Sequence, residues 1–149
     1  MEIRETKKQP TMCIKVVTAV ENLPQLLGEG YGEIMQYAGK HGIQPTGAPY
    51  AMYFNEDMEN LQVEFGFPTA APIEKEGRVE AGELPAGKAL TDLHTGPYSS
   101  LEETYNRILA HAKEQRLVPT GVCYELYLND PATTPPEELK TEVFFPLMG

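Results

Sequence analysis

Tyr124-Glu-Leu-Tyr-Leu128 sets one carboxylate among aromatic side chains in a run of strand-forming residues. Side chains of a strand alternate between its two faces, so Tyr124, Leu126 and Leu128 share one face and Cys123, Glu125 and Tyr127 the other. The first set suits a core covered by a helix, which sends Glu125 and Tyr127 to an open face. The related run Tyr50-Ala-Met-Tyr-Phe54 likewise sends Ala51 and Tyr53 there, with Tyr50, Met52 and Phe54 packed inward. A carboxylate flanked by rings attracts organic cations through charge pairing and cation–π contact, worth about 0.5–2 kcal/mol per ring. Removed from water, it would also take a raised pKa and serve as a general acid or base. The alternative is a solvated strand glutamate. Against it stand the poor strand preference of Glu and the absence of basic neighbours in the run.

The other chemistry-bearing residues point to less. His94 ends a strand in Leu93-His-Thr-Gly-Pro-Tyr98 and can orient or titrate, but with His41 and His111 it forms neither a ligand spacing nor a triad, and no metal is expected. Cys13 and Cys123 each sit in an apolar run and read as small buried hydrophobes. Gly28-Glu-Gly-Tyr-Gly32 follows no strand directly and lacks the Lys of a phosphate loop, so nucleotide binding is dropped and no cofactor is expected. Glu142 matches Glu64 when Pro146 is laid on Pro68, which suits a shared structural role such as a cross-strand hydrogen bond better than a ligand role.

The elements that position these residues come in two copies. Laying Pro45 on Pro119 also superposes Thr46 on Thr120, Gly47 on Gly121, Tyr50 on Tyr124, Tyr53 on Tyr127 and Asn55 on Asn129, without a gap. Glu125 falls on Ala51, so the charge belongs to one copy and not to the unit. Each copy reads β-α-β-β. The first has strands over 11–18, 50–55 and 61–67 with a helix over 23–40, which the glycines at 28, 30, 32 and 39 are expected to delay or bend. The second has strands over 87–95, 122–128 and 141–147, and a helix opened by a capping box of Ser99 or Ser100 with Glu102 or Glu103. Residues 77–83 add a strand or link the copies. The fold class is α+β: a single domain of pseudo-repeats 1–75 and 76–149, joined as one antiparallel-rich sheet with two helices on one face and a ligand cleft on the other.

The composition agrees with a globular chain of 149 residues, 41% hydrophobic and 23% charged. A net charge of −10 disfavours phosphate backbones and anionic membranes, so no direct nucleic-acid or membrane contact is expected. No apolar run approaches the roughly 20 residues of a spanning helix and the N-terminus has no apolar leader, which reads as cytoplasmic.

The duplicated unit, His94-Thr-Gly-Pro-Tyr98, Tyr124-Glu-Leu-Tyr-Leu-Asn-Asp-Pro131 and Thr141-Glu-Val-Phe-Phe-Pro146 together resemble the GyrI-like family of effector-binding domains over essentially the whole chain. The resemblance implies a pocket for bulky, flat, often cationic compounds, with Glu125 as its acidic residue and Tyr53, Tyr98, Tyr127 and Phe144 as its rings. It implies a stand-alone multidrug binder. Some members resemble hydrolases that open cyclopropane rings of DNA-alkylating toxins, for which Glu125 with Tyr127, Tyr53 or Tyr98 would be the catalytic set. A third implied reading is an inhibitor that contacts DNA gyrase.

Overall fold

The computed structural model describes residues 1–148. Its strands are β1 (Glu2–Thr6), β2 (Gln9–Thr18), β3 (Tyr50–Tyr53), β4 (Leu61–Pro68), β5 (Glu80–Leu84), β6 (Gly87–Thr95), β7 (Cys123–Tyr127) and β8 (Lys140–Pro146). The helices are α1 (Leu23–His41) and α2 (Leu101–Glu114). The fold is α+β, and every strand pairing within each unit is antiparallel. Among the described residues no helix is long and apolar enough to cross a membrane.

The chain divides into two compact units, one of Lys8–Pro85 and one of Met1–Lys7 with Ala86–Gly149. In the first, β5 pairs with β2, β2 with β4 and β4 with β3. In the second, β1 pairs with β6, β6 with β8 and β8 with β7. The two orders are the same, as a duplication requires. The difference is the source of the edge strand. The first copy takes β5 from its own C-terminal side, the segment left open between strand and linker, whereas the second takes β1 from the start of the chain. Sequence reading did not mark β1: Glu2-Ile-Arg-Glu-Thr6 is charged and mostly exposed, and only pairing with β6 gives it a reason to be a strand.

Each helix covers one face of its own strands. In the second unit Ile108 and Ala112 of α2 pack on Leu90, Val143 and Phe145, with Tyr105 and Cys123 against the same cluster. In the first unit Gly30 of α1 meets Phe65 and Ile14. Register then assigns the rest, because residues opposite each other in an antiparallel pair share a face. Glu125 opposes Val143 and Tyr127 opposes Thr141, so Cys123, Glu125 and Tyr127 lie on the α2 side. Ala51 opposes Phe65 and Tyr53 opposes Val63, on the α1 side. The alternation holds but the faces are exchanged relative to expectation. Tyr50, Met52 and Tyr124 are buried on the face away from the helix, where the apolar character of these strands had suggested a helical cover. Alternation fixes which residues share a face, and both faces of these strands are buried enough to defeat a guess of which is inside.

The first helix starts at Leu23 with Pro24 in its first turn and is not delayed by its glycines. Ser100 forms no capping bond for α2; its hydroxyl instead donates to the Pro97 carbonyl at 2.8 Å and sits 3.1 Å from His94 Nε2.

Candidate functional site

Glu125 sits mid-strand in β7 and is 5% exposed. The Tyr127 hydroxyl donates to its Oε1 at 2.7 Å, two residues along the same strand face. The Tyr105 hydroxyl donates to Oε2 from α2. Among the described residues, no Lys, Arg or His makes an ion pair with it. Burial raises the pKa of this carboxyl, against the two tyrosine hydrogen bonds and the more distant His94, which favour its charged form. A buried charge with hydroxyl donors and no cationic partner is costly to the fold.

The surroundings are aromatic. Tyr127 meets Tyr98 edge to face with ring centroids 5.6 Å apart. Tyr98 lies in the short 3-10 turn Tyr98–Ser100 that leads into α2, is 37% exposed, and has its phenol pKa raised by burial and by the Glu125 charge. Tyr105 packs on Phe145 at 5.6 Å, which fixes the ring whose hydroxyl holds the carboxylate. His94 is buried on the same face, with Nδ1 2.7 Å from Thr104 Oγ1 of α2 and Nε2 3.1 Å from the Pro97 carbonyl, so it ties α2 and the Tyr98 turn to β6. Thr141 opposes Tyr127 on one side and His94 on the other, and its buried hydroxyl has no hydrogen-bond partner among the described residues.

Of the residues singled out by sequence, Glu125, Tyr127 and Tyr98 come together. Tyr53 belongs to the other unit, half-buried on the α1 side of β3. Phe144 is a correction. Val143 opposes Glu125, so the next residue turns away; Phe144 stacks on Tyr124 with centroids 4.7 Å apart and lies under the Arg4 guanidinium at 5.4 Å. Its parity puts it on the face opposite to Glu125. Tyr105 was not singled out by sequence because its helical spacing explains it as core, which it is; only the bond of its hydroxyl to Glu125 brings it into this cluster.

Elsewhere, Cys13 is fully buried and its thiol is pushed up to about 12, chiefly by burial, which leaves it a protonated hydrophobe at neutral pH. Glu142 bonds Arg4 and Glu64 accepts from Tyr50, so both copies use this glutamate in cross-strand contacts. Among the described residues, no cluster of three or more His, Cys, Asp or Glu side chains is placed to hold a metal.

Comparison with known proteins follows the same lines. No curated protein matched the chain. Among solved structures, the crystal structure of the EcmrR C-terminal domain is 22% identical with a TM-score of 0.84, over 99% of this chain and 96% of that one. In the EcmrR–DNA complex the likeness is 21% identical with a TM-score of 0.85, and this chain spans 56% of that one. A hydrolase from Listeria innocua is 14% identical with a TM-score of 0.70, over 99% of this chain and 91% of that one. SAV2435 bound to tetraphenylphosphonium is 12% identical with a TM-score of 0.65, over 99% and 93%. At these identities the structures share the fold. Residues 1–148 match the family described as the GyrI-like small molecule binding domain, and the chain belongs to that family.

Proposed function

We propose that this domain binds hydrophobic aromatic molecules, preferentially cationic ones, with Glu125 as the charge partner and Tyr98 and Tyr127 as ring contacts. The observation that carries it is the buried Glu125 carboxylate, held by two tyrosine hydroxyls and, among the described residues, ion-paired to no Lys, Arg or His. Each oxygen already accepts a hydroxyl, which suits a fixed charge that receives a cation more than a mobile base. A delocalised cation loses little hydration on entering such a site and gains the ring faces as well. Tetraphenylphosphonium, the compound bound to SAV2435, is a molecule of this class. Because Glu125 is almost fully covered, a guest must part the rings over it, and Tyr98, on a short exposed turn, is the ring freest to move.

The test is calorimetric titration of tetraphenylphosphonium, with triphenylphosphine oxide as the uncharged counterpart, into the wild type and Glu125→Gln. The variant is expected to lose at least tenfold in affinity for the cation, about 1.4 kcal/mol, with little change for the oxide. Equal cation affinity in both proteins would remove Glu125 from the site. In the same assay Tyr98→Ala is expected to weaken both ligands by roughly threefold to tenfold, the loss of one ring contact of about 0.5–1.5 kcal/mol. A loss confined to the cation would mean that Tyr98 acts through the attraction of its ring for charge and not through apolar contact.

A further inference from the structure

Glu64 in β4 is a second buried carboxylate, 4% exposed, on the face of the first unit turned away from α1. The Tyr50 hydroxyl donates to its Oε2 at 2.7 Å and is 2.8 Å from Thr11 Oγ1. Among the described residues its Oε1 has no hydrogen-bond or ion-pair partner, and the carboxylate lines an open pocket of about 600 Å³ with apolar walls from Pro10, Met52, Phe54 and Pro72.

The second unit shows a partner for the equivalent glutamate. There Glu142 opposes Leu93 of β6, and four residues back along β6 Ala89 opposes Arg4 of the edge strand β1. Arg4 Nη1 donates to Glu142 Oε1 at 3.0 Å while its guanidinium lies over Phe144. In the first unit Glu64 opposes Lys15 of β2, and four residues back along β2 Thr11 opposes Gly82 of the edge strand β5. Gly82 thus occupies the register position of Arg4 and carries no side chain. Nor can it carry one without a shift: a Cβ there would lie 2.6 Å from Cys13 Sγ and Thr11 Oγ1, and 3.0 Å from Glu64 Oε2. The pocket walls also include Lys8 and Lys15, whose ammonium groups are held by Glu83 at 3.2 Å and Glu80 at 3.3 Å.

We infer that the pocket over Glu64 is a second binding site, which takes an alkylguanidinium compound whose head group stands where the sister repeat places its own Arg4. The alkyl chain lies along Pro10, Met52, Phe54 and Pro72. The planar fork of a guanidinium matches the carboxylate as Arg4 matches Glu142. Burial raises the Glu64 pKa against the Tyr50 hydrogen bond and the Lys15 charge, which favour the ionised form, and a cationic guest beside the carboxylate would favour that form further.

The test is amide NMR titration of the full chain with hexylguanidinium and, in parallel, hexylurea. Saturable shifts at Ala81, Gly82 and Phe54 are expected with hexylguanidinium and not with hexylurea, with at least tenfold weaker binding in Glu64→Gln and unchanged binding in Glu125→Gln. The wild-type contrast between the two compounds stands whether or not Glu64→Gln folds. The inference is overturned if the Gly82 region does not shift saturably, if hexylurea gives the same shifts, or if Glu125→Gln abolishes them. The last result would place the guest at the Glu125 site, while failure of tetraphenylphosphonium to bind there leaves the Glu64 test untouched.

Discussion

Glu125→Gln is expected to melt at a higher temperature than the wild type at pH 8 and to converge with it near pH 4. Burial raises the Glu125 pKa in the folded state above its unfolded value, so between the two values the folded protein holds more protons than the unfolded chain. Stability therefore falls as pH rises through that window, and the whole penalty is present above the folded pKa. Below the unfolded pKa both states carry a neutral carboxyl, and Glu and Gln differ little. The amide keeps the shape, accepts one tyrosine hydroxyl and donates one N–H to the other phenol oxygen, so the variant trades a buried charge for one unpaired N–H and one phenol O–H that must turn to another acceptor. Each kcal/mol of penalty removed should appear as roughly 2–4 °C in Tm for a chain of this size. Thermal melts of both proteins from pH 4 to pH 8 check it. A variant less stable than wild type at pH 8 would show that the tyrosine hydrogen bonds more than offset burial. Joined to the expected loss of cation affinity, the result would identify Glu125 as a residue kept at the expense of the fold, which is the behaviour of a binding group.

The parts of this fold that were legible in the sequence are those written in local pattern. The Pro45 and Pro119 segments repeat residue for residue, and the helices and the six strands of the β-α-β-β units follow from period and punctuation. The Glu125–Tyr127 pair follows from strand parity alone. What was not legible depends on long-range register. The β1 strand has no sequence reason to exist until β6 pairs with it, and Phe144 is separated from Glu125 by one residue of parity set through Val143. The choice of inner face failed because Tyr50 and Tyr124 are buried away from the helices, with Tyr124 stacked on Phe144 and Tyr50 bonded to Glu64. Aromatic residues with a hydroxyl satisfy either environment, so their presence does not say which side the helix takes. The lack of a side chain at Gly82 becomes informative only once its register equivalence to Arg4 is known.

The glycines of α1 provide a test in which neighbours respond with opposite sign. Gly30→Val is expected to destabilise the protein by about 2–3 kcal/mol, whereas Gly28→Ala and Gly32→Ala should each stabilise it by up to about 1 kcal/mol. A Cβ at Gly30 would lie 2.3 Å from two atoms of the Phe65 ring, well inside contact distance. That ring has no easy retreat: Phe65 is fully buried, and Tyr31 meets it edge to face at 5.2 Å. Tyr31 is itself fixed, since its hydroxyl donates to the Tyr50 carbonyl at 2.6 Å. A side chain at 30 must therefore push α1 off β4 or force Phe65 out of its rotamer, and either loses packing that a buried aromatic ring supplies at several kcal/mol. At Gly28 and Gly32 nothing lies within 4 Å of the added methyl, so only the helix preference of Ala over Gly is felt. Urea unfolding of the three variants measures the difference through shifts in midpoint at constant slope. If Gly30→Val matched the wild type, the close approach of α1 to β4 would not be what fixes the helix. The opposite signs, once seen, would show that one glycine in this helix serves packing and that its neighbours at 28 and 32 only weaken it.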